Sequence, residues 1–459
     1  MDILLLNPPC MFGKDNLWGK IVANTPALGL GYLASTLEAR GYEVKILDAG
    51  VERMNFEEVR QYLKKSPKVP WIGISAISFT FWSALEVAKI VKQVMPNCKL
   101  VMGGVHPTLC PEEALKSPYV DFVIRHEGDY TLPELIAGIR YDEILGLSYK
   151  DNGRIVHNLP RPMIEKLDDI PFPAYHLLPL NKSRLTVGCE KRSPATMLLG
   201  SRGCSFKCRY CSTVTMGSKV RYRSPQNIFE EIMLLMKDYG IREIHFQDDS
   251  FTLNRKNVLE LCSLIIKKRI DLSWLCMANI VAVDLEMLKL MKRAGCHQIC
   301  YGIESGNEEI LRNLNKKVTL ENVRNAVRWT KQAGIDARGA FILGCPGETE
   351  ESMKKTLNFM KELNLDLISL NILAPLPGTE IYKWAKENGY LISEDWRDYS
   401  FDKSVIRLPT IHPKTVDRYL KKMYRSFYFR PSYMFNRLLK IRGLNDIKMC
   451  LKAVGALST

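Results

Sequence analysis

Short apolar runs alternate with amphipathic stretches along residues 1–158. Candidate strands are Ile3–Leu6, Val44–Leu47, Ile72–Ser75, Lys99–Met102 and Phe122–Ile124. Between them apolar residues return at helical spacing over Leu28–Arg40, Phe56–Lys64, Ser83–Val94, Glu112–Lys116 and Thr131–Ile139. Strand–helix alternation predicts a parallel, doubly wound sheet whose ligands bind at the carboxyl ends of the strands. A hairpin is predicted next, Leu147–Lys150 and Arg154–His157, turning at Asp151-Asn152-Gly153. Residues 159–194 carry Pro160, Pro162, Pro171, Pro173, Pro179 and Pro194. That density reads as a connector without regular helices or central strands.

The alternation resumes over residues 195–400. Strands are predicted at Thr196–Leu199, Glu243–Gln247, Ser273–Met277, Gln298–Ile303, Asp336–Leu343 and Asp366–Leu373. Helices are predicted at Ile228–Asp238, Arg255–Lys268, Leu285–Ala294, Leu320–Ala333, Glu350–Leu363 and Ile381–Glu387. Six such units suggest a partial or full (β/α) barrel of the TIM type, with chemistry at the C-terminal strand ends. Residues 401–459 read as a helical tail. The expected fold is α/β: a doubly wound, Rossmann-like domain (1–158), a linker (159–194), a (β/α)6 barrel (195–400) and the tail.

Composition narrows the class. At 459 residues, 46% hydrophobic and 25% charged, the chain is neither disordered nor low-complexity. Its longest mainly apolar run, Val69–Trp82, is broken by Gly73, Ser75, Ser78 and Thr80, and is shorter than the roughly 20 residues of a spanning helix. The segment Met1–Pro8 lacks a basic region and a cleavage site, so a cytoplasmic protein is expected. Thirteen cysteines, an odd count in a reducing compartment, argue against a disulfide framework and make any tight cluster a metal or catalytic candidate. The net charge is +15. Residues 402–459 hold 13 Lys/Arg against 3 Asp and no Glu, a net of +10, so the basic character belongs to the tail.

The strongest chemical signal is the run Ser201-Arg202-Gly203-Cys204-Ser205-Phe206-Lys207-Cys208-Arg209-Tyr210-Cys211, directly after the first barrel strand. Thiolates hold iron–sulfur clusters, and three cysteines leave one iron of a [4Fe–4S] cubane open to a cosubstrate. A zinc site usually wants four ligands in two pairs, and no second pair lies nearby. This loop, with an aromatic before its third cysteine, resembles the radical S-adenosylmethionine (SAM) superfamily. The resemblance implies Cys204, Cys208 and Cys211 as cluster ligands and SAM on the open iron. It also implies SAM contacts from Tyr210, from Asp248 or Asp249 after the second barrel strand, and from Glu304 on the ribose. Gly344 falls in the adenine-side loop. The competing readings are a helix cap for the aspartates, a structural salt bridge for Glu304 and a simple turn for Gly344.

Four segments follow N-terminal strands and share one sheet edge: Asn24–Leu30, Ser75–Ser78, Val101–Thr108 and His126–Asp129. Together they resemble the cobalamin-binding domain that precedes many radical SAM barrels, over about residues 1–390. The resemblance implies cobalamin contacts from Thr25, Leu28, Gly29, Ser75, Ser78, Gly103, Gly104, His106 and Glu127. The Asp-x-His-x-x-Gly signature of cobalt-ligating domains is missing. Cobalamin is therefore expected without a protein imidazole, His106 lining or capping the pocket. An auxiliary cluster on Cys296, Cys300 and Cys345, or a methylthiotransferase set on Cys10, Cys98 and Cys110, is a minor alternative.

The implied activity is a cobalamin-dependent radical SAM methyltransferase that functionalises an unactivated carbon of a small-molecule or lipid substrate. An electron donor such as flavodoxin or ferredoxin is implied as a partner. The rivals are a radical cyclisation or other tailoring reaction without methyl transfer, and a non-catalytic cobalamin or cluster sensor. The aromatic and basic tail has three readings: packing on the barrel, peripheral contact with an anionic membrane, or nucleic-acid binding. No nucleic-acid module is visible, so none is expected as a partner.

Overall fold

The computed structural model describes residues 1–10, 25–184 and 188–439. The N-terminal sheet holds β1 (Ile3–Asn7), β2 (Val44–Asp48), β3 (Trp71–Ser75), β4 (Lys99–Gly103), β5 (Phe122–Ile124), β6 (Leu147–Asp151) and β7 (Arg154–His157) in the order β2-β1-β3-β4-β5-β6-β7. The first five are parallel. The hairpin β6–β7 joins β5 antiparallel and lengthens the sheet. The order reverses at β1, which pairs with β2 on one side and β3 on the other, and such a switch point opens a crevice at the strand ends.

Alternation along the strands builds two apolar layers. Leu4, Leu6, Ile74, Met102 and Val123 face helices Phe56–Lys65, Phe81–Val94 and Pro111–Lys116. Ile3, Leu5, Val101 and Ile124 face helices Leu28–Glu38 and Thr131–Ile136. The connector holds only single 3₁₀ turns among its described residues, as its prolines require.

The second sheet runs β8 (Ala195–Leu198), β11 (Glu243–Phe246), β12 (Ser273–Ala278), β13 (Cys296–Glu304), β14 (Asp336–Leu343) and β15 (Leu367–Ile372), all parallel and in sequence order. It is an open six-stranded barrel. Its helices carry their own stop and start signals. Helix Pro225–Tyr239, for example, begins at a Ser224 cap with proline in its first turn and ends on left-handed Gly240. A two-residue ribbon, β9 (Ser201–Arg202) against β10 (Arg221–Tyr222), is invisible to periodicity.

The described part of the tail packs. Helix Pro413–Tyr428 buries Val416, Tyr419, Leu420, Met423, Tyr424 and Phe427 against the barrel. The Tyr424 and Tyr428 hydroxyls bond the backbone N–H and C=O of Leu370 and Ile368 on β15, and Tyr433 donates to the Asp366 carbonyl. Tyrosine hydroxyls thus stand in for a missing neighbour strand on the barrel's open edge. The basic residues from Lys440 onward lie outside the described residues.

Candidate functional site

The cysteine loop leaves β8 through a turn held by Asp248. Its carboxylate accepts the Gly200 amide (3.0 Å) and the Ser201 hydroxyl (2.5 Å), and burial pushes its pKa up to about 6. The β9–β10 ribbon pinches the loop's base. Its far side is stapled to the segment after β13: the Arg209 amide donates to Leu314, and Asn315 donates to Lys207. Cys204, Cys208 and Cys211 are half-buried here. Burial raises the thiols of Cys204 and Cys208, and the Lys316 ammonium opposes that rise.

Lys316 is the centre of a buried knot. It donates to Glu304 Oε1 at 3.0 Å, and the Tyr210 hydroxyl reaches the same oxygen at 2.8 Å. Glu304 adopts φ +68 at a register shift between β13 and β14. A Cβ at Gly302 would meet its Oε1 at 2.5 Å, so the glycine lets the carboxylate fold back over its own strand. Asp249 stands apart: it is exposed, acts electrostatically on Cys204, and is still recessed enough for burial to raise its carboxyl. Of the two aspartates, Asp248 is committed to the loop and Asp249 is open. Gly344 has φ +75, and its Cβ direction meets Val416 and Ile372. It serves the turn and faces the C-terminal helix.

Barrel strands alternate between outward residues packed on helices and inward residues that stay accessible. Met197, His245, Met277, Cys300, Gly302, Arg338, Ala340, Ile342, Ser369 and Asn371 are the inward set. Met277 is exposed and the others are half-buried, so side chains do not fill the barrel interior at this level, whereas Ala195 and Leu275 close its lower end with Cys189.

At the N-terminal sheet, the switch-point crevice is an apolar cavity of about 210 Å³. Leu5, Ile74, Val101, Ile124 and Leu132 wall it, and Gly29, Ser75, Gly103, Gly104 and Glu127 line it too. A 150 Å³ engineered apolar cavity holds benzene. This one suits a somewhat larger planar group, such as the base of a cobalamin nucleotide tail, and the corrin would lie outside. Gly29 has nothing within 4 Å of its Cβ direction, leaving room at that edge. Thr25, Leu28, Ser78 and His106 are not in the lining. Leu28 packs in the core. His106 is fully buried, its Nδ1 3.0 Å from the Ser78 hydroxyl and its ring between Phe81 and Trp396. His106 does not reach the cavity; the histidine in its lining is His126, whose Nδ1 lies 2.9 Å from the Thr215 carbonyl.

The two sites adjoin. Arg202, in the cavity lining, pairs with Glu127 (2.9 Å) and Asp129 (3.1 Å), and Arg221 pairs with Glu127 (2.6 Å). Burial alone would raise the Glu127 carboxyl, but the bonds from Arg202 and Arg221 hold it below the ordinary range. Arg202, Arg221, Lys316 and Arg338 were not singled out from the sequence. As isolated cations in loops and strands they read as solvated charge. Cys296, Cys300 and Cys345 do not converge: Cys296 packs in the outer core, Cys300 faces the lumen and Cys345 sits in a small separate cluster.

A six-stranded barrel with a three-cysteine loop at its mouth, docked on a doubly wound domain with a crevice at its switch point, defines an enzyme that pairs SAM radical chemistry with a corrinoid. Comparison agrees: the B12 binding domain family matches residues 17–136, and the radical SAM superfamily matches residues 198–360. An uncharacterized methyltransferase of Pyrococcus horikoshii is 36% identical over 96% of both chains. The cytidylyl-2-hydroxyethylphosphonate methyltransferase of Streptomyces wedmorensis is 29% identical over 86% of this chain and 83% of its own. The cobalamin-dependent SAM radical enzyme OxsB shares the fold at a TM-score of 0.74, with 20% identity over 100% of this chain and 72% of its own. The protein belongs to the cobalamin-binding radical SAM enzymes, and its cofactors are a [4Fe–4S] cluster, SAM and cobalamin.

Proposed function

We propose that this enzyme methylates an unactivated carbon of a small-molecule substrate held in the barrel lumen. One observation carries the reading: Arg202 lines the corrinoid cavity and Cys204 is two residues further on. At 3.3–3.6 Å per fully extended residue, at most about 7 Å of chain joins the cavity wall at Arg202 to the first cysteine of the loop. When bound, the cluster with SAM supplies hydrogen abstraction and cobalamin supplies the methyl carrier. The chain's part is to hold and align them. Cys204, Cys208 and Cys211 are the cluster ligands, and Lys316 offsets the negative charge of a thiolate-bound cluster. Asp249 is the open carboxylate for the SAM amino group, and Glu304, steadied by Tyr210 and Lys316, orients the ribose. Gly29, Ser75, Gly103 and Gly104 form the cobalamin edge. An external electron donor completes the cycle.

The test uses protein reconstituted anaerobically with iron, sulfide and cobalamin. About 4 iron per chain are expected, and replacement of all three cysteines by Ala should abolish them. With a low-potential reductant and SAM, 5′-deoxyadenosine should be released, and a methylated product should consume two SAM per turnover. Full iron content in the triple variant would refute the ligand set. Product without an added methyl group would replace methylation with radical tailoring.

A further inference from the structure

Among the described residues, the barrel interior holds a half-buried cation with no carboxylate partner. Arg338 projects inward from β14, near the N-terminal half of the strand. Among the described residues its one hydrogen bond is from a guanidinium N–H to the Cys189 sulfur, and its Nε has no partner. Cys189 is a weak anion at best, since burial raises its thiol. Two carboxylates on the neighbouring segments bond other groups. Glu243 accepts the amides of Lys191 and Arg192, and Asp366 accepts Lys331 and the Ala337 amide. A buried charge is costly unless it is paired and hydrogen-bonded. Guanidinium groups pair best with planar or tetrahedral oxyanions, to which they donate two parallel bonds. His245 lies within electrostatic reach of Arg338 and also points inward. Its Nδ1 is 2.9 Å from the Gln247 amide nitrogen, and burial and Arg338 lower its pKa to about 4, so it adds a neutral polar edge and no second charge.

We infer that Arg338, with His245 and Gln247, forms an anion-binding subsite in the barrel, so that the substrate carries a carboxylate, phosphate or phosphonate at the end remote from the reacting carbon. The inference rests on the lumen being the substrate chamber, as proposed above. It deepens that reading by naming a substrate class.

The test needs no turnover, so its outcome is separate from that of methyl transfer. The thermal midpoint of reconstituted holoenzyme is followed against inorganic phosphate, methylphosphonate and acetate, with ionic strength held constant by chloride. Wild type should show a saturable rise with at least one of the three. Arg338→Gln should lose it, and Arg338→Lys should keep it with an affinity at least tenfold weaker. Without added anion, Arg338→Gln should melt no lower than wild type, because it removes a half-buried charge that no carboxylate offsets. Cys189→Ser, which keeps a polar partner, should retain the anion response. The proposal is overturned if wild type shows no saturable response, or if Arg338→Gln responds equally. A marked fall of the anion-free midpoint in Arg338→Gln would overturn it too, since the guanidinium would then be a structural plug.

Discussion

Glu304 sits in the left-handed region, which a non-glycine residue occupies at a cost on the order of 1 kcal/mol or more. What offsets that cost is the pair of bonds its Oε1 receives from Lys316 and Tyr210. Lys316→Met should therefore do two things. It should make the cluster harder to reduce, lowering the potential by on the order of 50 mV in a protein-film or dye titration, because a cation beside it is lost. It should also weaken SAM binding through a loosened Glu304. Glu348, in the loop after β14, accepts Ser352 and the Cys345 amide, and burial raises its pKa to about 7. A raised carboxyl binds its proton more tightly in the folded state. Stability is therefore greatest below the unfolded value near 4.5 and declines as pH rises from there to about 7. Glu348→Gln should flatten that decline in urea melts, by on the order of 3 kcal/mol across the window.

At the scale of elements, the barrel stops at six strands and leaves β15 with an open edge. The helix Pro413–Tyr428 covers it, its tyrosines meeting the backbone groups of Ile368 and Leu370. Tyr424→Phe keeps the ring and leaves a buried N–H and C=O without partners, so a loss of about 1–3 kcal/mol is expected in denaturant unfolding. The same helix buries Tyr424 and Phe427, two of the aromatic side chains that made the tail ambiguous. Phe429, Met434 and Phe435 remain exposed beyond it, ahead of the basic end. If the tail docks on anionic lipid, protein should sediment with phosphatidylserine vesicles at low salt and release as salt screens the charges over about 8 Å. No sedimentation at low salt would leave packing as the tail's whole role.

Across the whole molecule, Glu127 is the hinge pin. Arg202 and Arg221 reach it from the ribbon that flanks the cysteine loop, and it also accepts the Ile164 amide of the connector. Breaking a buried pair on one side strands the other charge, so Glu127→Ala should cost about 3–5 kcal/mol. It should also split the calorimetric transition in two and expose the connector, residues 159–194, to protease. Because its folded pKa is depressed, the contribution of Glu127 is present above about pH 4.5 and lost as pH falls through the lower folded value.

The sequence by itself determined the strands of both sheets, most of the longer helices, the succession of the two sheets along the chain and the cysteine loop. These depend on local periodicity and on spacing within eight residues, both readable without knowing what touches what. Every strand of both sheets was legible to within a residue or two. The β9–β10 ribbon was not, because two-residue pairing leaves no periodic trace. Nor could local pattern choose between Asp248 and Asp249. Both are aspartates at a strand end, and only the Gly200 turn, folded back onto one of them, decides which is spent on structure. His106 stands in a loop that looks like a ligand site, yet it is buried under Trp396, some 290 residues downstream. Arg202, Lys316 and Arg338 look like ordinary surface cations until the fold withdraws them from water. Burial and long-range pairing belong to the tertiary structure, and they turn those three charges into a clamp, a cluster neighbour and an anion receptor.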